Sequence, residues 1–240
     1  MKKTSLVSGS WIRHCLIGLV MVGVLFPAMG CGLFKSQSAK ELERTPESLL
    51  MEGMDAYQRK KYEPAIEAFQ KLKDRFPYNQ YAIVAELKLA DSYFLNKDYE
   101  LAATAYKEFE KLHPANEIIP YVVFQSAMCY FKQMPTIDRD QSYASRATQE
   151  FERMIKTFPH SEYISQAKTN LITAKKNLLS HEFYIGEFYF KEKNYQAALG
   201  RFENILRQFP DTPHPPKIND YIQTCKEKLA QSQPQKVKTP

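Results

Sequence analysis

Along the chain the same marks return four times. A small residue is followed by an alanine twelve residues on, an aromatic four after that and a proline eight further. Gly53, Ala65, Phe69 and Pro77 make the first set, Ala90, Ala102, Tyr106 and Pro114 the second, and Gly186, Ala198, Phe202 and Pro210 the last. The third keeps Ala147, Phe151 and Pro159, but its small residue, Ala127, stands eight residues early because a loop is inserted. Aromatics follow each small residue by three or four: Tyr57, Tyr93 with Phe94, Tyr130 with Phe131, and Tyr189 with Phe190. A unit recurring at this length cannot bury its apolar face alone, so the chain is constrained to stack similar units side by side.

The period inside one unit is helical. Leu50, Gly53, Met54 and Tyr57 fall at steps of three and four, one face of a helix, which Lys60 and Lys61 end. Ala65, Ile66, Phe69, Leu72, Lys73 and Phe76 form a second stripe, stopped by Pro77, which has no N–H to continue the ladder. Gly53 and Ala65 let the two helices approach closely, and Phe69 fills the space beyond. The pattern resembles the tetratricopeptide repeat, a helix–turn–helix unit of about 34 residues that stacks into a curved solenoid and binds other chains. The fold class is therefore all-α, a solenoid of about ten antiparallel helices. Two departures are visible. Leu49, Glu86, Val123 and Glu182 stand where tryptophan often opens the first helix, and Leu72, Phe109, Met154 and Ile205 where alanine is preferred late in the second.

The expected organisation is repeats near 47–77, 80–114, 117–159 and 161–210, a capping helix at 217–231 and a polar tail at 232–240. From Ser161 to Lys191 there is no proline and one glycine. The apolar register continues through it, which reads as one long helix or two nearly collinear ones. Pro210, Pro213, Pro215 and Pro216 make a stiff turn before the cap.

The first 30 residues read as a targeting segment. Lys2, Lys3 and Arg13 precede or flank an apolar run of 15 residues, Cys15 to Met29, short of the roughly 20 a transmembrane helix needs. The run ends Ala28-Met29-Gly30-Cys31, the small residue before cysteine that marks a bacterial lipoprotein signal. Ala28 replaces the usual leucine, and Ala-x-Gly also suits the ordinary signal peptidase. Lipidated at Cys31, the chain would carry several acyl chains and be stably anchored. Gly32, where enterobacterial sorting would read an aspartate, favours the outer membrane, with 31–46 as a tether. Without the signal the chain holds 30 basic and 27 acidic residues, a balance too mild to argue for nucleic acid. Cys129 and Cys225 read as buried free thiols.

No phosphate-binding glycine loop, HExxH, CxxC or Gly-x-Ser-x-Gly occurs. None of the five histidines has a histidine or cysteine partner at i+3 or i+4, and His113 and His160 read as solvent-facing at repeat turns. The sequence thus argues against an enzyme, a cofactor or a metal site. The inserted loop, Met134-Pro135-Thr136-Ile137-Asp138-Arg139-Asp140-Gln141-Ser142, has two readings. Either carboxylate pairs Arg139 and Asp140 or Ser142 caps the next helix, or the loop docks a partner, as insertions in solenoids do. His181-Glu182 reads as a polar pair at a packing seam or a contact site, and Arg201, beside Phe202, as a solvated charge or an interface anchor. The paired aromatics are mostly core, with Tyr57, Tyr93 and Tyr130 as candidates to line a groove for an extended peptide.

The segments Cys129-Tyr130-Phe131, Asp138-Arg139-Asp140-Gln141, Phe158-Pro159-His160-Ser161-Glu162-Tyr163, His181-Glu182-Phe183-Tyr184, Arg201-Phe202-Glu203 and Phe209-Pro210-Asp211-Thr212 are similar to those of the BamD family. These are lipoproteins of the outer-membrane β-barrel assembly machine. The resemblance covers roughly residues 31 to 230. It implies a non-enzymatic scaffold, lipid-anchored on the periplasmic face of the outer membrane. C-terminal repeats would hold the periplasmic domains of the barrel-forming BamA subunit, and N-terminal repeats the unfolded outer-membrane proteins. Other assembly lipoproteins are further possible partners. Arg201 and its surroundings, Glu203 included, would then face BamA, and Tyr57 and Tyr93 would lie near the substrate groove. The alternative is another periplasmic repeat lipoprotein, coordinating cell-wall synthesis or envelope constriction. Such proteins often carry a coiled coil before the repeats, where this chain has about 15 polar residues.

Overall fold

The computed structural model describes residues 44–232, except 211 and 214. The proposed signal segment, Cys31, most of the tether and the tail from 233 on lie outside the described residues. The chain divides after Ser48 into two compact units. Of the first, residues 44–48 are described; Thr45 there accepts from the Ser48 backbone N–H at 3.2 Å. Everything below concerns the second unit, apart from the opening residues of its first helix.

Among the described residues there are nine helices and no strand. They are α1 (Pro46–Gln58), α2 (Tyr62–Arg75), α3 (Ala82–Leu95), α4 (Tyr99–Leu112), α5 (Ile119–Lys132), α6 (Ser142–Thr157), α7 (Ile164–Lys191), α8 (Tyr195–Gln208) and α9 (Ile218–Ser232). From α2 to α9, the chief packing is between helices consecutive in sequence. This is the tetratricopeptide-repeat solenoid that the spacing predicts. The segment 161–191 resolves into the single helix α7, of 28 residues. Nothing interrupts it, since Gly186 remains helical, so the described residues hold nine helices where about ten are expected.

The recurring marks have recurring geometry. A Cβ added at Gly53 would sit 2.5 Å from the Phe69 ring, and one at Gly186 would sit 2.6 Å from the Phe202 ring. The missing side chain is thus the space into which the aromatic of the second helix fits. Phe76, His113, Phe158 and Phe209 all leave the helical region at φ near −130°, as the residue before a proline must. Each donates its N–H to the carbonyl four residues back. Between first and second helices the chain turns through Lys60, Lys97 and Lys193, with φ of 59°, 71° and 59°. The larger residues late in the second helices, Leu72, Phe109, Met154 and Ile205, are fully buried.

Three apolar clusters result. Leu49, Phe69, Leu72 and Leu89 centre the first, on α1–α3. Tyr106, Phe109, Val122, Val123, Phe151 and Met154 centre the second, which reaches Ala167 and Ala174 of α7. Leu179, Phe202, Ile205, Ile218 and Ile222 centre the third. The long helix α7 therefore belongs to two clusters, by its first half and its second.

One repeat position also carries a polar latch to the next first helix. The buried Asp91 accepts from the Tyr121 hydroxyl at 2.9 Å and from the Tyr106 hydroxyl at 2.8 Å, and it pairs with Lys88 at 2.8 Å. The equivalent Glu187 accepts from the Tyr221 hydroxyl at 3.0 Å, and the Met128 sulfur from Asn170 at 3.1 Å. Burial, with the Asp91 charge next in weight, pushes the Tyr106 and Tyr121 hydroxyls far above the ordinary tyrosine range. They stay protonated donors.

Candidate functional site: the loop and the α7–α8 junction

The inserted loop lengthens the α5–α6 connection and lies against α7. Its fastening is built on main-chain carbonyls. The buried Gln141 side chain donates to the Thr136 and Arg139 carbonyls, both at 2.9 Å. Asn177 of α7 donates to the Gln141 side-chain oxygen at 3.0 Å and to the Pro135 carbonyl at 3.3 Å. One turn further along α7, His181 Nδ1 lies 2.6 Å from the Ile137 carbonyl. A carbonyl only accepts, so Nδ1 carries the proton. Asn177 and Gln141 are the site residues that sequence reasoning missed. The available signal was the four-residue spacing of Asn177 and His181, which puts both on one helix face.

Among the described residues, Arg139 makes no ion pair with Asp138 or Asp140, so the triplet does not fold on itself. Each carboxylate is held locally instead. Asp138 accepts from the Thr136 hydroxyl and from its own backbone N–H. Asp140 accepts from the Ser142 hydroxyl and its backbone N–H, the latter at 3.0 Å. These hydrogen bonds hold both below the usual carboxylate range, and the two groups remain exposed and charged. The Asp140 contact braces the first residue of α6.

The second part of the site joins α7 to α8. Arg201 Nη1 donates to both oxygens of Glu182, at 3.1 and 3.0 Å, with the arginine side chain still 43% exposed. Glu203, two residues on, turns the other way and pairs with Lys226 of α9 at 2.9 Å. Between the loop, α7 and the end of α8 lies a cleft of about 370 Å³. Asp140, Ser142, His181 and Glu182 form its polar lining, Leu178 and Phe209 its apolar lining. The structure thus brings Asp140, His181 and Glu182 to one cleft, adds Arg201 through Glu182, and places Glu203 at the α8–α9 seam. Glu86, which shares Glu182's repeat position, also binds a basic side chain, here at the C-terminal cap of its own second helix. His113 Nε2 lies 2.6 Å from Glu86 and its ring packs on Phe109 at 4.8 Å. His113 is therefore a bridge between helices and not the solvent-facing residue expected.

The three groove candidates separate. Tyr57 is half-buried, with the Lys88 ammonium 5.0 Å from its ring centre. Tyr93 is half-buried between the first and second clusters. Tyr130 must be withdrawn as a groove residue. It is 6% exposed and is covered by Lys107 of α4 and Arg146 of α6, at 5.1 and 5.8 Å from its ring centre. The rotation of α5 turns this tyrosine to the second helices.

The site consists of charged and apolar contact groups whose inner hydrogen bonds are internally satisfied, an arrangement suited to recognition. Among the described residues, no three His, Cys, Asp or Glu gather as metal ligands. Cys129 and Cys225 are free and buried, and burial pushes the Cys129 thiol up to about 12. No described helix is long and apolar enough to cross a membrane.

The chain is 31% identical over 203 residues to outer membrane protein assembly factor BamD of Rickettsia prowazekii, covering 85% of this chain and 79% of that one. It is 26% identical over 202 residues to the protein of the same name from Caulobacter vibrioides, covering 84% and 66%. Among solved structures, the TPR2AB-domain:pHSP90 complex of yeast Sti1 aligns at 12% identity with a TM-score of 0.46, over 78% of this chain and 71% of that one. Residues 42–239 match the family described as YfiO, outer membrane lipoprotein. The chain therefore belongs to the YfiO family of outer membrane lipoproteins, the family of the BamD assembly factors.

Proposed function

We propose that the protein is a non-enzymatic scaffold of outer-membrane protein assembly. In this reading the α7–α8 junction holds a BamA-like barrel protein through its periplasmic domains. The first two repeats, around Tyr57 and Tyr93, receive unfolded outer-membrane proteins. Cys31 carries the lipid anchor and keeps the chain on the periplasmic face. The observation that supports the docking surface best is the convergence of Asp140, His181 and Glu182 at one cleft, with Arg201 paired to Glu182 beside it. Asp138 and Arg139 extend it along the loop. Arg201 binds Glu182 through Nη1 alone and its side chain stays well exposed, so the guanidinium is positioned while Nε and Nη2 are not engaged by Glu182.

The test is detergent co-purification of the protein from its own membranes. It brings down an outer-membrane barrel protein with periplasmic domains, and Arg201→Glu lowers the yield at least about tenfold. The exchange Arg201→Glu with Glu182→Arg restores the internal pair but reverses what a partner meets. The yield stays low if Arg201 is a docking residue; recovery would reduce it to a strut between α7 and α8. Unchanged association in Arg201→Glu would remove this surface from the reading. Fatty-acid analogue labelling of the native chain against Cys31→Ala checks the anchor, and absence of label on the native chain would reject it.

A further inference from the structure

Outside the loop and the α7–α8 junction, a second cleft of about 230 Å³ opens where the turns before α5 and α7 meet. It shares no lining residue with the first. By helical rise, roughly 27 Å of α7 separates Tyr163 from His181. Two tyrosines wall it, Tyr121 and Tyr163, with ring centres 5.8 Å apart and planes tilted by 58°. Neither ring is free to turn. The Tyr121 hydroxyl is committed to Asp91 at 2.9 Å, and its ring meets Tyr106 edge-on at 6.4 Å. Tyr163 is stacked on Phe124 at 5.2 Å, with 18° between planes. Ile118 and Pro120 add apolar lining.

Glu117 and Glu162 stand at the same cleft, both exposed. Among the described residues, no lysine, arginine or histidine is within ion-pair distance of either. Their neighbours contrast with them. Glu108, Glu110, Glu150 and Glu152 each hold a cation from an adjacent helix. Two unbalanced carboxylates thus flank a fixed aromatic wall whose π-faces are negative. That combination attracts a cation that is flat and weakly hydrated.

We propose that this cleft receives an arginine side chain of a partner polypeptide. A guanidinium stacks on a tyrosine face while its N–H edge meets a carboxylate with two parallel hydrogen bonds. A lysine ammonium is a compact, strongly hydrated charge and gains less from the ring. An ethanolamine lipid headgroup brings an ammonium too, but with a phosphate that Glu117 and Glu162 repel. Because packing already fixes both rings, little conformational freedom is lost on their side when the guest enters.

The experiment follows the Tyr121 and Tyr163 ring resonances of the mature protein in detergent by NMR. The probes are three blocked tripeptides, Ala-Arg-Ala, Ala-Lys-Ala and Ala-citrulline-Ala. The arginine peptide shifts both rings with a Kd on the order of 1 mM, and the neutral citrulline peptide binds at least about tenfold more weakly. Glu117→Gln with Glu162→Gln abolishes the difference between the two peptides. Both positions are exposed, so circular dichroism and the melting temperature stay unchanged. Equal binding of the arginine and citrulline peptides overturns the proposal, as does indifference to the double substitution. Ring shifts produced by phosphatidylethanolamine vesicles, but not by the arginine peptide, would assign the cleft to lipid and overturn it as well.

Discussion

Lys60, Lys97 and Lys193 occupy left-handed backbone, where a side chain crowds the carbonyl and glycine does not. Lys97→Gly is expected to raise stability by up to about 1 kcal/mol, a helix-end position that favours glycine. Lys61→Gly, one residue past such a turn at φ −92°, has no strain to relieve and does not gain. Thermal melts of the two variants separate these outcomes. The opposite argument holds at Gly53 and Gly186. An alanine methyl there overlaps the Phe69 or Phe202 ring, and overpacking of this kind costs about 1–3 kcal/mol. Gly186→Ala and Gly53→Ala should each lower the melting temperature, and pairing Gly186→Ala with Phe202→Leu should cost less than the two separate losses added.

At the scale of the helix, charge links successive second helices. Arg153 of α6 makes two bonds to Glu110 of α4, at 2.7 and 3.1 Å, and one to Glu150 at 2.8 Å. Lys107 of α4 reaches Glu150 at 2.9 Å. Burial alone would raise the Glu150 carboxyl, but hydrogen bonds and charge from Lys107 and Arg153 hold it below its ordinary value. A carboxyl depressed in the folded state stabilises fully above the unfolded value, about 4.3, and that contribution is lost as pH falls through the lower folded value. Wild type should therefore exceed Glu150→Gln by about 0.5–1 kcal/mol from pH 5 to 8, a small figure because Arg153 is over a third exposed. The gap should close below about pH 4. Denaturant titrations across that range check it; a gap that widens in acid would contradict the ion-pair assignment.

At the scale of the whole fold, α7 serves two clusters, so damage at its centre should spread in both directions. Lys176→Pro, at an exposed mid-helix position, removes a backbone bond and costs about 3 kcal/mol or more. Hydrogen exchange should then show lost protection in both α5–α6 and α8–α9. Gly53→Ala should loosen only α1–α3, as nearest-neighbour coupling in a repeat array requires.

The same locality explains what the sequence could reveal. Gly53, Ala65, Phe69 and Pro77 act within one helix pair, so their spacing alone exposes the unit. The fastening of the loop joins Gln141 to Asn177, and Tyr130 is covered by residues of two other helices. Such contacts depend on how each helix is rotated about its own axis, which packing decides. His113 and Glu86, 27 residues apart, stayed hidden for that reason. Asp140, His181 and Glu182 were legible as unusual polar residues, but their shared cleft was not.

The loop at 133–141 is tied down through the carbonyls of Pro135, Thr136, Ile137 and Arg139. Every residue type supplies that atom. The outward groups at 137, 138 and 139 are therefore exchangeable without untying the strap, as on a mounted display whose faceplate swaps while the bracket stays. Substitution there changes what the chain presents to solvent while the surrounding repeats keep their architecture.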